Sequence, residues 1–78
     1  MKYESMNDIL NANKKIKFKL YSLEYLIVKD DSVVSICAVD YDKQTKTYNS
    51  FEELMNNYLV YREPLIEQLD RIILLDAK

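Results

Sequence analysis

The sequence contains no histidine and no glycine, and it has a single cysteine and a single proline. Histidine is the side chain that titrates nearest pH 7 and that most zinc sites and nucleophile–base pairs require. Glycine-rich loops cradle the phosphates in nucleotide-binding proteins, so the absence of glycine disfavours a nucleotide site. We therefore predict that the protein is not an enzyme and that it has no catalytic residue, no cofactor and no metal ion.

The lone cysteine, Cys37, has no partner for a disulfide within the chain. No apolar run approaches the roughly 20 residues that span a bilayer, and the first residues lack the apolar core of a secretory signal. Both observations are typical of proteins in a reducing, intracellular compartment. The sequence therefore predicts a soluble cytoplasmic protein that has no membrane partner.

The chain of 78 residues is long enough for one domain, which we place over residues 1–78. Apolar residues make up 49% of it and aromatic residues 12%, which is typical of a folded protein. A domain of this size buries only roughly 60% of the surface that its unfolded chain exposes. Its stability is therefore expected to be modest or to be assisted by a partner.

The net charge of −2 is divided unevenly along the chain. Residues 1–29 hold six lysines against three acids, whereas residues 30–78 hold five basic residues against ten acids. A molecule with a basic side and an acidic side steers charged partners by its field, unless the two halves interleave in the fold. The division permits a charged binding surface but does not place it.

Residues 15–39 carry the clearest pattern, which is that of three antiparallel strands. Apolar residues and lysines alternate strictly over residues 15–20, as in a strand with one buried face. A two-residue turn at Tyr21–Ser22 then lets each apolar residue face an apolar partner on the next strand. The predicted pairs are Leu20 with Leu23, Phe18 with Tyr25, Ile16 with Ile27 and, on the other face, Lys19 with Glu24.

A second turn is predicted at Asp30–Asp31, because aspartate tolerates left-handed backbone better than most residues do. The predicted pairs around it are Lys29 with Ser32, Ile27 with Val34, Tyr25 with Ile36, and Leu23 with Ala38. This register completes a continuous apolar inner face, which a helix can cover.

Residues 40–44 are interpreted as a polar loop that leads into a short fourth strand over residues 45–49, with Tyr48 inward. The spacing D-x-D-x-Q in this loop resembles the start of a calcium-binding loop. Such a loop requires glycine at its sixth position and a bidentate glutamate at its twelfth, where this sequence has Thr45 and Phe51. We therefore interpret these residues as a solvated loop.

A short helix of one or two turns is predicted within residues 1–14, where Ser5 and Asp8 have the spacing of a capping box. Three asparagines, which are poor helix formers, limit its length. The residues that give it an apolar side are Ile9, Leu10 and Ala12.

A longer helix is predicted to begin at Ser50, which has the capping-box spacing to Glu53. Its apolar stripe consists of Phe51, Leu54, Met55, Tyr58 and Leu59. Pro64 suits the first turn of a further helix that runs to about Arg71, and residues 72–75 fit either helix or strand. The elements together predict an α+β domain: an antiparallel β-meander of three to four strands, with a short N-terminal helix and two C-terminal helices packed on the sheet.

The layout of several short motifs resembles that of small proteins of unknown function from low-GC Gram-positive bacteria and from their phages and plasmids. The motifs are Phe18-x-Leu20, Glu24-Tyr25-x-Ile27, Ser50-Phe51-Glu52-Glu53-Leu54 and Pro64-Leu65-x-Glu67-x-x-Asp70-x-Ile72. They span about residues 16–75 and consist of turn, cap and core positions. The resemblance implies no activity, cofactor or partner.

The outer face of the predicted meander has an unexpected composition. An antiparallel sheet that is covered on one side is expected to be polar on the other. The alternation instead places five apolar residues there: Leu26, Val28, Val33, Cys37 and Val39. Either the N-terminal helix covers them with Ile9 and Leu10, or a protein partner or second copy does, as in a homodimer.

Three lysines border these residues on the first strand: Lys15, Lys17 and Lys19. We predict that the protein is a small protein–protein interaction module and that these eight residues form its contact surface. The alternative is a nucleic-acid-associated protein that uses the lysines to follow phosphates, although the acidic net charge disfavours it. A further possibility is an acidic mimic of nucleic acid, built from the acids of the C-terminal half.

Overall fold

A computed structural model describes residues 2–39 and 41–76, and the predicted α+β class is confirmed. The N-terminal half contains α1 (Tyr3–Asn13), β1 (Lys15–Leu20), β2 (Leu23–Asp30), β3 (Val33–Ala38) and β4 (Tyr41–Tyr48). The C-terminal half contains α2 (Phe51–Asn57), β5 (Leu59–Val60), β6 (Glu63–Pro64), a 3₁₀ helix (Leu65–Arg71) and β7 (Ile73–Asp76).

The main sheet is antiparallel and has five strands in the order β4-β3-β2-β1-β7. The residues that the sequence left open between helix and strand therefore form a fifth strand, β7. Because β7 pairs with β1, the lysine-bearing first strand lies inside the sheet and not at its edge. A separate two-stranded hairpin is formed by β5 and β6.

The first hairpin has the predicted register, with Phe18 opposite Tyr25 and Ile16 opposite Ile27. Its turn residues, Tyr21 and Ser22, have φ of 52° and 68°, in the left-handed region that usually takes glycine. Each costs about 1 kcal/mol relative to ordinary backbone. The apolar pairing therefore determines the register even though the turn residues are unfavourable.

The predicted register of the second hairpin is wrong by two residues. The turn lies at residues 31–32, so that Asp30 faces Val33 and Ile27 faces Ile36. Moving a two-residue turn by one position shifts every pair by two residues, and this keeps each side chain on its predicted face. The apolar pattern does not distinguish the two registers, whereas Asp31, with φ of 56°, is the residue that takes the left-handed position.

Helix α1 is longer than predicted and begins at Tyr3, so Ser5 lies within it and is not its cap. Its stability comes from burial, because Met6 and Leu10 are fully buried in the same core cluster as the inner face of the sheet. Tyr3 also stacks on Phe51 at a ring-centroid distance of 5.1 Å. Helix α1 therefore lies beside α2 on the inner face of the sheet.

Helix α2 has the predicted cap: Ser50 Oγ accepts a hydrogen bond from Glu53 N at 3.0 Å, and Glu53 Oε1 accepts one from Asn49 N at 3.3 Å. The helix ends at Asn57, and Leu59 is 58% exposed in β5. The prediction that Leu59 continues the apolar stripe is therefore wrong. The chain turns away at Tyr58, where the backbone becomes extended.

The C-terminal segment is organised by a buried amide and not by helical periodicity. Pro64 lies in β6, and the helix that follows it is of the 3₁₀ type, with a kink at Gln68. The Gln68 side chain is fully buried, and its Nε2 donates hydrogen bonds to Val60 O at 3.0 Å and to Glu63 O at 2.8 Å. It thus ties the β5–β6 hairpin to the core.

The predicted loop at residues 40–44 is corrected in part. Residues 41–44 belong to β4, where Tyr41 is paired with Ala38, and Asp40 lies outside the described residues. Backbone pairing with β3 thus holds a polar segment in the sheet. The inward position predicted for Tyr48 is confirmed, since it packs against the core.

Two tyrosines of the core make stability sensitive to alkaline pH. The rings of Tyr25 and Tyr58 meet edge to face at 6.3 Å. Burial, reinforced by Tyr61, raises the pKa of Tyr25 above 10.0, and burial, reinforced first by Tyr25, raises the pKa of Tyr58 in the same way. The folded protein therefore holds these phenol protons more tightly than the unfolded chain does.

Stability should accordingly be constant up to about pH 10 and should fall as the pH rises further, where the unfolded chain ionises first. Urea unfolding at a series of pH values measures this dependence. Tyr58→Phe should make the fall shallower, because it removes one of the two phenol groups whose pKa burial raises. Equal slopes in the two proteins would contradict the expectation.

Candidate interaction surface

The outer face of the sheet carries an apolar band, which we define as Leu26, Val28, Val33, Cys37 and Val39. Its two central residues, Leu26 and Cys37, lie directly opposite each other on β2 and β3 and are half-buried by their neighbours. The three valines are 37–40% exposed. No member of the band belongs to the core cluster.

Helix α1 does not cover the band. Its two fully buried residues, Met6 and Leu10, pack with Ile16 and Phe18, whose side chains point to the inner face. Within residues 2–39 and 41–76, both α-helices and the 3₁₀ helix contribute their buried residues to this same core. The first of the two alternatives left open by the sequence is therefore wrong.

The lysine row, Lys15, Lys17 and Lys19, runs along β1 beside the band. Lys17 lies directly opposite Leu26 and forms an ion pair with Glu24, with Nζ 3.4 Å from Oε1. Lys15 and Lys19 are exposed, and neither is ion-paired within the described part of the chain. Within the described part of the chain, the row thus keeps two lysines that form no ion pair, although Lys19 lies directly opposite Glu24.

Strand β7 extends the apolar surface beyond the lysine row. Ile73 lies opposite Lys19 and is 60% exposed, and Leu75 is 42% exposed. Sequence reasoning did not include either residue in the surface. The only signal for them was the run IILL, which fits a strand but does not reveal which strand it joins.

The described outer-face side chains of β4, at the opposite border of the band, carry no charge. Thr47 of β4 faces Ser35, which lies on β3 between Val33 and Cys37, and their hydroxyl oxygens lie 3.3 Å apart. Where its surroundings are described, the band is therefore flanked by ammonium groups on the β1 side and by the Thr47 hydroxyl group on the β4 side. The two borders of the band, on the β1 side and on the β4 side, therefore differ in charge.

The structure also has two grooves on its helical side. The larger, of about 520 Å³, lies between α1 and the 3₁₀ helix, and its charged residues are Lys2, Glu4, Glu67 and Asp70. The second, of about 350 Å³, is lined by α1, the turn after β2 and the start of α2. The charged side chains that line each groove are of both signs.

The chain matches no family model, no curated protein and no solved structure. Its function is therefore inferred from the chemistry of its own surfaces. The described residues contain no group of three or more acids or cysteines that could hold a metal ion. None of the helices in residues 2–39 and 41–76 has the length and apolar character that crossing a bilayer requires.

Proposed function

We propose that this protein is a small interaction module that binds a protein partner, or a second copy of itself, through the apolar band. The observation that supports the proposal is the exposure of Val28, Val33 and Val39 around Leu26 and Cys37 on an uncovered sheet face. Such a face is normally polar, and contiguous apolar patches on a protein surface mark interaction sites. We further propose that it acts in the cytoplasm, because its only cysteine is unpaired.

Nucleic-acid binding through the lysine row receives less support. Lys17 is already paired with Glu24, which leaves only Lys15 and Lys19 for phosphates. Aliphatic side chains on β2 and β7 flank the row on both sides, and such groups gain nothing from a phosphate backbone. A protein partner engages both kinds of side chain, and we therefore favour it.

Leu26→Asp should weaken association at least about tenfold and leave the fold intact. Leu26 lies at the centre of the band but outside the core, so a carboxylate there stays hydrated until a partner excludes water. Light scattering over a range of concentrations measures self-association, and affinity capture from the native host measures partner binding. Circular dichroism and urea unfolding check the fold.

Leu59→Asp is the matched control, because it makes the same substitution at a leucine that is 58% exposed in the separate β5–β6 hairpin, outside the band. It should associate as the unmodified protein does. A protein that stays monomeric at every concentration and captures no partner would refute the proposed function. The same conclusion would follow if Leu26→Asp and Leu59→Asp had equal effects.

A further inference from the structure

We infer that the apolar band binds an acidic, amphipathic polypeptide segment, whose apolar stripe is bordered on one side by carboxylates. This inference rests on the proposed function and names the chemistry of the partner. It follows from the two different borders of the band. Ammonium groups of Lys15 and Lys19 lie on one side, and the hydroxyl group of Thr47 lies on the other.

The spacing of the face suits such a segment. Neighbouring strands are about 4.8 Å apart, so the lysine row is one strand away from Leu26 and Val28. A helix about 10 Å wide that lies over β2 and β3 therefore reaches β1 with one flank and β4 with the other.

The spacing of the lysines along β1 also matches that of a helix. Successive members of the row are about 6.8 Å apart, because two strand residues separate them. Lys15 and Lys19, at the two ends of the row, are therefore about 13.6 Å apart. Carboxylates at positions i and i+8 of a helix rise about 12 Å, and those four residues apart in a strand rise about 13.6 Å. Either arrangement brings one carboxylate near Lys15 and another near Lys19.

A second copy that presents the same face is a poorer occupant. Two outer-face acids have described side chains: Glu24, which faces Lys19 and is already paired with Lys17, and Asp30, which lies one outer-face position beyond Val28, the residue opposite Lys15. Against three lysines on the same face, face-to-face packing of two copies leaves the described lysines in excess. A different, acidic partner neutralises them and covers the aliphatic side chains at the same time.

The test uses the full chain and two fluorescent helical peptides that share one leucine stripe. One peptide carries glutamates along a single flank of the stripe, and the other carries glutamines at the same positions. Fluorescence anisotropy should show the glutamate peptide binding at least about tenfold more tightly at low salt. The difference should shrink at about 0.5 M salt, since salt screens exposed charges.

Variants of the chain locate the contact. Lys15→Glu combined with Lys19→Glu should abolish the preference for the glutamate peptide. Lys2→Glu combined with Arg71→Glu, an equal charge change at the groove and the 3₁₀ helix on the helical side, should not. Leu26→Asp should weaken the binding of both peptides, because it acts on the shared leucine stripe.

The outcomes separate this inference from the proposed function. Equal affinity for the two peptides, with binding still lost in Leu26→Asp, would overturn the acidic partner and leave the interaction module standing. Glutamate-peptide binding that survives Leu26→Asp would refute the role of the band. The inference also fails if neither peptide binds at about 1 mM, or if a single-stranded oligonucleotide or phosphatidylglycerol vesicles bind in preference to the glutamate peptide.

Discussion

Leu10→Ala should lower the free energy of unfolding by about 2–5 kcal/mol, which is a large part of the stability of a domain this small. Leu10 is fully buried between α1 and the inner face of the sheet, and shortening it leaves a cavity beside Ile16 and Phe18. Urea unfolding, followed by circular dichroism, measures the change. The unfolding midpoint should move to lower urea with an unchanged slope.

Leu59→Ala is the matched control, since it makes the same chemical change at a leucine that is 58% exposed. Its effect should stay within about 0.5 kcal/mol, as is usual for surface positions. A small effect of Leu10→Ala would mean that α1 does not pack on the inner face. It would also restore the possibility that this helix covers the apolar band.

The presence of helix α1 is predictable from residues 1–14, but the sheet face on which it packs is not. Both faces of the meander offer apolar residues, and a helix with one apolar side fits either of them. Its length was also underestimated, because the burial of Met6 and Leu10 outweighs the low helix propensity of the asparagines.

The strands show the same division between local and long-range information. Alternation alone assigned residues 15–39 to the correct faces, and hence the whole apolar band. It did not determine the register of the second hairpin, because a shift of two residues preserves every face. It also did not place β7 beside β1, since that pairing joins residues more than fifty positions apart and has no local signal.

The sequence therefore predicts which residues form the candidate surface, but not which residues lie around them. The eight residues named from the sequence do lie on one face, but the sequence does not predict which strand lies beyond the lysine row. The structure places Ile73 beyond it and pairs Lys17 with Glu24. Because of these two contacts, the lysine row is flanked by an apolar side chain and keeps fewer lysines for binding phosphates. We therefore favour a protein partner over a nucleic acid.

Gln68→Glu should cause the second large loss of stability, about 2–4 kcal/mol at pH 8. The buried amide of Gln68 donates hydrogen bonds to the carbonyl oxygens of Val60 and Glu63. A carboxylate of similar size donates to neither, and its charge is removed from water at this fully buried position. The β5–β6 hairpin should open first, which hydrogen exchange of its amides measures.

The loss in Gln68→Glu should also depend on pH. Burial raises the pKa of the introduced carboxyl in the folded state above its unfolded value of about 4.3. The folded variant therefore takes up a proton more readily than the unfolded chain, and the deficit should shrink as the pH falls toward about 4. A protonated carboxyl also regains one donor for a carbonyl.

Gln68→Met separates the charge from the lost hydrogen bonds. It keeps the size of the side chain, removes both donors and adds no titrating group, so its loss should be about 1–3 kcal/mol at every pH. The substitution removes no hydrogen bond to the side-chain oxygen, because Gln68 Oε1 has no hydrogen-bond partner among the described residues. If Gln68→Met lost no stability and its hairpin amides exchanged as in the unmodified protein, the amide would not be what holds the hairpin to the core. A pH-dependent deficit confined to Gln68→Glu, with early exchange in the hairpin of both variants, would establish that it is.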